Sequence, residues 1–158
     1  MNETEFKQLY ETHAKSLWAY IRRFCNDEDL TNDVVQESFV RMLSREIPSL
    51  TDPQKKTYLY QTATRLVLDH WRANKKMTEF TIDDRTEQSF EWKAVQKIDL
   101  ENAFSQMPSN QRSLLWLAYA ENYSHNEIAD ILHIQTKSVR VLLFRAKNKL
   151  LKFLSEKE

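Results

Sequence analysis

The chain contains no glycine. At ordinary usage of roughly 7%, a protein of this length would carry about 11. Phosphate-cradling loops, dinucleotide fingerprints and nucleophile elbows rely on backbone conformations that only Gly adopts without steric cost, so enzyme classes built on them are excluded. Tight two-residue hairpins also favour Gly, which argues against a β-rich fold. Cysteine is nearly absent: Cys25 stands alone, leaving no disulfide framework and no CxxC metal pair. The longest unbroken apolar run, Leu114 to Ala120, is far too short for a membrane span. The opening MNETEFKQLY has neither the basic n-region nor the apolar h-region of a signal peptide, so the expected compartment is the cytoplasm, without direct membrane insertion. Net charge is missing too, with 23 basic and 23 acidic side chains.

What is present fits a folded, mostly helical protein. The chain has 158 residues, 41% hydrophobic and 29% charged, enough for one ordinary domain or two small ones. Phe6, Leu9, Tyr10, His13, Leu17, Ile21 and Phe24 follow the three-and-four spacing of one helix face. Asn26-Asp27 ends that helix, and Thr31-Asn32-Asp33 offers an N-cap for a second whose buried line is Val35, Phe39 and Leu43. Pro48 breaks the second helix. Asp52-Pro53 reads as N-cap and N1 proline of a third, with a core face of Leu59, Ala63, Leu66, Val67 and His70 or Trp71.

Residues 77–101 interrupt the pattern. Glu79, Asp83, Asp84, Glu87, Glu91, Asp99 and Glu101 stand against Arg85, Lys93 and Lys97, and the first half lacks helical periodicity. Residues 77–91 are therefore read as an acidic linker, either a solvated connector or one with its own binding site. Helical spacing resumes with Trp92, Val95, Leu100, Ala103, Phe104 and Met107, and Pro108 stops it. Ser109 then caps a helix carrying Leu114, Leu115, Ala118 and Tyr119.

Residues 124–150, SHNEIADILHIQTKSVRVLLFRAKNKL, carry a helix-turn-helix pattern. Ser124 and Glu127 form a capping box. Ala129 is small where two helices cross. Ile128 and Leu132 face inward, Ile134 plugs the turn, and Val139 and Leu142 anchor a second helix from about Thr136 past Leu150. His133 occupies the turn position that commonly holds a left-handed Gly, a conformation His tolerates better than most residues. From Ile131 to Ser155 the basic residues are Lys137, Arg140, Arg145, Lys147, Lys149 and Lys152, with no acidic residue among them. That asymmetry on a neutral chain suits phosphate attraction; the weaker reading is a solvated basic face.

Two further features bear on function. Tyr58, Thr62, Arg65, Asp69 and Arg72 share one face of the third helix, distinct from its core face, and Lys75 and Lys76 extend its basic end. Such a stripe can stack an unpaired base and hold its backbone, or it can be a charged surface with a packed tyrosine. The second helix and its approach are acidic, with Asp27, Glu28, Asp29, Asp33, Glu37 and Glu46 against Arg41 and Arg45. That face suits a basic protein partner. The four histidines lack a paired nucleophile or ligand set, and His125 and His133 lack a third metal ligand. The chain thus reads as no enzyme, with no cofactor and no metal.

DVVQESFVRML (33–43), YLYQTATRLVLDHWR (58–72) and EIADILHIQTKSVRVLLFRAKNKL (127–150) together resemble the extracytoplasmic-function (ECF) sigma factors of the sigma-70 superfamily. The resemblance covers nearly the whole chain. It implies an all-α protein of two small helical domains joined by a linker, the C-terminal one a helix-turn-helix. Residues 1–76 would bind core polymerase and the −10 element, 77–91 would be the acidic linker, and 92–158 would bind the −35 element. It implies that Asp33, Gln36, Glu37 and Arg41 dock on the clamp helices of core RNA polymerase. The melted −10 strand would meet Ser49, Leu50, Thr51, Asp52, Tyr58, Arg65 and Arg72. Lys137, Ser138, Arg140, Phe144 and Arg145, with Val141 at a matching position, would face the −35 major groove. Expected partners are core RNA polymerase and promoter DNA, with an anti-sigma factor as a further candidate. The main competing reading is a stand-alone helix-turn-helix regulator that dimerises on a palindrome; another is a protein-only adaptor, against which the basic segment argues.

Overall fold

The computed structural model describes residues 2–45, 50–74 and 100–155. Their regular structure is entirely helical, and the chain divides into two compact units, Met1–Met77 and Thr78–Glu158. The linker read at 77–91 lies outside the described residues, as do Trp92 and Val95.

The first unit holds helices α1 (Glu3–Cys25), α2 (Glu28–Ser44) and α3 (Asp52–Ala73), each packed on the other two. Asn2 starts α1 with a capping box: its Oδ1 accepts from the Glu5 amide at 2.8 Å while its own amide donates to Glu5 Oε2 at 3.3 Å. Asn26 stops the helix in the left-handed region at φ 56°, where Asn costs less than other L-residues. The second helix begins earlier than the Thr31-Asn32-Asp33 cluster suggests. Asp27 is its cap, accepting from the Leu30 amide at 3.1 Å, and Thr31 is buried with its hydroxyl donating to the Asp27 carbonyl at 2.7 Å. Likewise α3 is capped by Thr51, not Asp52. Thr51 Oγ1 accepts from the Gln54 amide and Gln54 Oε1 accepts from the Thr51 amide, which moves Asp52-Pro53 into the first turn.

The core of this unit joins Leu17, Tyr20, Ile21 and Phe24 of α1 with Val34, Val35, Phe39 and Met42 of α2 and Leu59, Tyr60, Ala63 and Val67 of α3. Leu43, expected inside, is 51% exposed, and Met42 takes its place. Tyr10 and His70 are also exposed. Two tyrosines fill the centre instead: Tyr20 and Tyr60 stack with ring centroids 5.2 Å apart. Their polar ends do not forbid burial, because the Tyr20 hydroxyl lies 2.9 Å from Thr64 Oγ1 and that hydroxyl in turn donates to the Tyr60 carbonyl at 2.7 Å. Cys25 is half-buried beside Thr31, 3.2 Å from its Oγ1. Burial pushes its thiol pKa up, outweighing the hydrogen bond to Thr31.

The second unit comprises α4 (Leu100–Ser105), α5 (Ser109–Leu115) running into a π-helical turn (Trp116–Ala120), α6 (His125–Leu132) and α7 (Thr136–Ser155). Helices α4, α5 and α6 all pack on α7. Ser109 is the first residue of α5 rather than its cap; Pro108 precedes it and the helix has no side-chain cap bond. In the π-helical turn the Glu121 amide reaches back five residues to the Trp116 carbonyl at 3.0 Å. The extra residue slips the register, so Leu117 is buried where Ala118 and Tyr119 were expected. The core is completed by Ala103, Met107, Leu114, Ile128, Ile131, Leu132, Val139, Leu142, Leu143, Ala146 and Phe153.

Candidate nucleic-acid interface

The helix-turn-helix of the second unit is built from local sequence. Ser124 Oγ accepts from the Glu127 amide at 3.2 Å and Glu127 Oε1 accepts from the Ser124 amide at 2.9 Å, fixing the start of α6. His133 ends it in the left-handed region at φ 57°, ψ 48°. The chain then re-enters a helix at Thr136, three residues later. Ile128, Leu132, Val139 and Leu142 are all buried, and Ile134 is half-buried in the turn. This packing sets which α7 residues face outward. Lys137 and Arg140 are exposed, Phe144 is 66% exposed and Val141 40%. Ser138 and Arg145 are half-buried at the edge of that face. Lys147 and Lys152 continue it, while Lys149 Nζ lies over the Phe153 ring at 5.5 Å.

In the first unit, α2 turns its acidic residues toward α3. Asp27, Asp29, Asp33 and Glu37, with Leu30 and Val34, line a cleft of about 360 Å³ closed on the far side by Leu66 and His70. Asp33 and Glu37 thus stand together, whereas Gln36 and Arg41 are exposed on α2 but do not line the cleft. Arg41 Nε sits 3.2 Å from Glu37 Oε1, with both side chains about half exposed. A pair this wet contributes only about 0.3–0.5 kcal/mol, so a partner can exchange it at little cost. Asp29, a cleft residue that sequence reasoning left out of the site, was marked by its spacing: 29, 33 and 37 are four apart on one helix face.

The α3 face is partly assembled. Ser49 lies outside the described residues. Leu50 is half-buried, Thr51 and Asp52 are exposed, and the Thr51 hydroxyl is occupied in capping. Tyr58 is half-buried, Arg65 is exposed, and Arg72 Nη1 contacts Asp69 Oδ1 at 3.3 Å. Among the described residues no group of three or more His, Cys, Asp and Glu side chains could hold a metal ion. No helix among them is long and apolar enough to cross a membrane.

Residues 9–77 match the family model of sigma-70 region 2, and residues 97–150 match that of sigma-70 region 4. A three-helix unit followed by a helix-turn-helix unit, matched in that order, defines a sigma factor of the sigma-70 class. Among the relatives, the ECF RNA polymerase sigma factor SigX of Bacillus subtilis is 25% identical over 162 residues, covering 92% of this chain and 80% of its own. The ECF RNA polymerase sigma factor SigL of Mycobacterium tuberculosis is 26% identical over 147 residues, covering 89% and 83%. The chain belongs to the ECF sigma factors of the sigma-70 superfamily, and its function is that of a sigma factor in transcription initiation. Solved structures share the fold. The sigma factor RpoE of Bartonella quintana, solved in complex with the anti-sigma factor NepR, has TM-score 0.68 at 19% identity, covering 98% of this chain and 99% of that one. CnrH, solved with the cytosolic domain of CnrY, has TM-score 0.68 at 22% identity, covering 99% and 92%.

Proposed function

We propose that the two units divide promoter recognition between them. The observation that carries this reading is the opposite sign of their surfaces: an acidic cleft on α2 and α3 in one, an outward face of α7 without acidic residues in the other. Residues 1–76 act as the polymerase- and −10-binding domain, 77–91 as the connector, and 92–158 as the −35-binding domain. Asp33, Gln36, Glu37 and Arg41 dock on the clamp helices of core RNA polymerase, where exposed carboxylates complement a basic surface. The α7 face enters the major groove, with Lys137 and Arg140 supplying donors to phosphates and base edges, Phe144 exposed between them and Ser138 and Arg145 at its rim.

Tyr58, Arg65 and Arg72, with the approach through Ser49, Leu50, Thr51 and Asp52, hold the unpaired −10 strand. A tyrosine ring that stacks a flipped base contributes about 1–3 kcal/mol, the same order as the few kcal/mol that unstacking costs. Strand separation is therefore stabilised without catalysis by this chain, which is no enzyme; the polymerase performs the chemistry. Neither DNA-binding surface needs high affinity alone, because the polymerase holds both near one promoter at high effective concentration. The protein works in the cytoplasm, and an anti-sigma factor, as bound by RpoE of Bartonella quintana, fits as its regulator.

The test is to combine the protein with sigma-free core polymerase and genomic DNA and to map transcript 5′ ends. Discrete new starts sharing two upstream elements are expected. Polymerase binding without starts would mark a degenerate sigma, and neither binding nor starts would favour a stand-alone regulator. On the mapped promoters, Arg140→Ala is expected to reduce initiation mainly where the −35 element is intact. An equal loss on all DNA would make Arg140 a phosphate contact.

A further inference from the structure

The outward side of α7 carries exposed apolar side chains along its length: Val141 at 40%, Phe144 at 66% and Leu151 at 53% exposure. At about 100° per residue they fall within about 80° of the helix circumference, and they span roughly 15 Å of its axis. Lys137 closes the N-terminal end of this stripe, and Asn148 is the polar residue within it. Arg140 and Lys147 run along one border, Arg145 and Lys152 along the other. No acidic residue occurs from Ile131 to Ser155.

Promoter recognition accounts for only part of the stripe. A recognition helix meets base edges through its N-terminal residues, whereas Leu151 lies about 10 Å beyond Phe144 toward the other end. Its side chain offers a phosphate neither a donor nor a charge, and its exposure leaves hydrocarbon in water. An apolar centre between two cationic borders is the arrangement that settles into the headgroup layer of an anionic bilayer.

We propose that α7 gives this protein a second activity: reversible, peripheral binding to an anionic lipid bilayer. Val141, Phe144 and Leu151 enter the boundary between headgroups and acyl chains. Arg140, Arg145, Lys147 and Lys152 lay their aliphatic stems beside them and hold their charged heads at the lipid phosphates. The helix lies along the surface, since no described helix is long and apolar enough to cross a membrane. Its other side, with Val139, Leu142, Leu143, Ala146 and Phe153, is already buried in the second unit, so docking needs no unfolding. Because Lys137, Arg140 and Phe144 also face the proposed promoter groove, bilayer and promoter are alternative occupants of one face. The inference does not depend on that groove, because Leu151 stands outside it. A second copy of the chain fits less well. Pairing two such stripes would set Arg145, Lys147 and Lys152 against their own copies with no carboxylate to answer them.

The test is cosedimentation of the full chain with vesicles of equal parts phosphatidylglycerol and phosphatidylcholine, against vesicles of phosphatidylcholine alone. Binding is expected to the first and not to the second, and should weaken as salt is raised. Leu151→Gln should lower vesicle affinity about tenfold, and Leu151→Met should retain it. Holoenzyme carrying either variant should initiate as the parent does. The position is exposed, so thermal melts should be unchanged. A DNA duplex bearing the −35 element should release the chain from the vesicles. No binding to the anionic vesicles would overturn the proposal. So would equal affinity of Leu151→Gln and parent, which would mean adsorption by charge alone. A chain that holds duplex and vesicle together would place the lipid contact elsewhere. If Leu151→Gln lost initiation and vesicle binding in step, Leu151 would belong to the promoter complex instead. A lipid-free dimer that Leu151→Gln dissociates would hand the face to a second copy.

Discussion

Replacing His133 by glycine is expected to stabilise the helix-turn-helix unit. His133 ends α6 at φ 57°, ψ 48°, where the Cβ of an L-residue crowds the following carbonyl at a cost of about 1–2 kcal/mol. Glycine removes that crowding but adds about 0.5–1 kcal/mol of unfolded-state entropy to be lost on folding. The net expectation for His133→Gly is a gain of roughly 0.5–1 kcal/mol, equivalent to a melting-temperature rise of about 2–6 °C for a unit of this size. The control series makes the cause specific. His133→Asn should be close to neutral, His133→Ala slightly destabilising, and His133→Val clearly so, because β-branching adds a second clash at positive φ. Gln135→Gly, outside the set of positive-φ positions, should destabilise. The assay is thermal and urea unfolding of the full chain, with amide hydrogen exchange in α6 and α7 locating the change in this unit. If His133→Gly and His133→Ala lower stability to a similar degree, the left-handed strain argument is wrong and the imidazole itself stabilises the turn.

Other perturbations test the first unit. Asp33→Ala combined with Glu37→Ala should weaken core-polymerase binding about tenfold or more while leaving DNA binding by the isolated chain unchanged, measured by titration with labelled core and with promoter fragments. Thr51→Ala should cost about 1 kcal/mol and speed amide exchange at Gln54 and Lys55, whereas Thr51→Ser should restore the parent behaviour. Cys25 should alkylate more slowly at pH 8 in the folded protein than after unfolding, because burial raises its thiol pKa and depletes the thiolate. The same shift has a signed effect on stability. It costs nothing at neutral pH, and stability falls as pH rises past the ordinary thiol range, where only the unfolded chain ionises this group. The difference between parent and Cys25→Ala in urea midpoint should therefore shrink or reverse toward alkaline pH.

The helix-turn-helix was the most legible part of the chain because everything that builds it is local. Ser124 and Glu127 cap within one turn, and Ile128, Leu132, Val139 and Leu142 lie within fifteen residues of one another. What the sequence obscured has particular physical reasons. The start of α2 offered several capping residues in a row, and the competition was settled by Asp27, whose carboxylate reaches the Leu30 amide, while Thr31 became a buried hydroxyl. Helix α2 packs on two neighbours, so its buried surface is broader than one stripe and takes in Val34, Ser38 and Met42. Tyr20 and Tyr60 were hidden by their polar ends, although a threonine one helix away satisfies Tyr20. The register slip at Trp116–Ala120 has no periodic signature at all. For the candidate site, the acidic face and the basic helix were readable from charge alone. The cleft that joins Asp27 and Asp29 to Asp33 and Glu37 required α3 to supply Leu66 and His70 from across the interface.

The division into two units, each closed around its own aromatic and aliphatic interior, bears on how such a protein diversifies. On the proposed division of promoter recognition, a substitution on the outward side of α7 would alter one half of the promoter code and leave the packing behind Tyr20 and Tyr60 untouched. Selection can therefore edit the upstream and downstream halves of a target separately, and a hybrid that joins the first unit to the second unit of a paralogue should inherit half of each parent's regulon grammar. A repertoire of many promoter specificities could then arise by recombining a few separately cored parts.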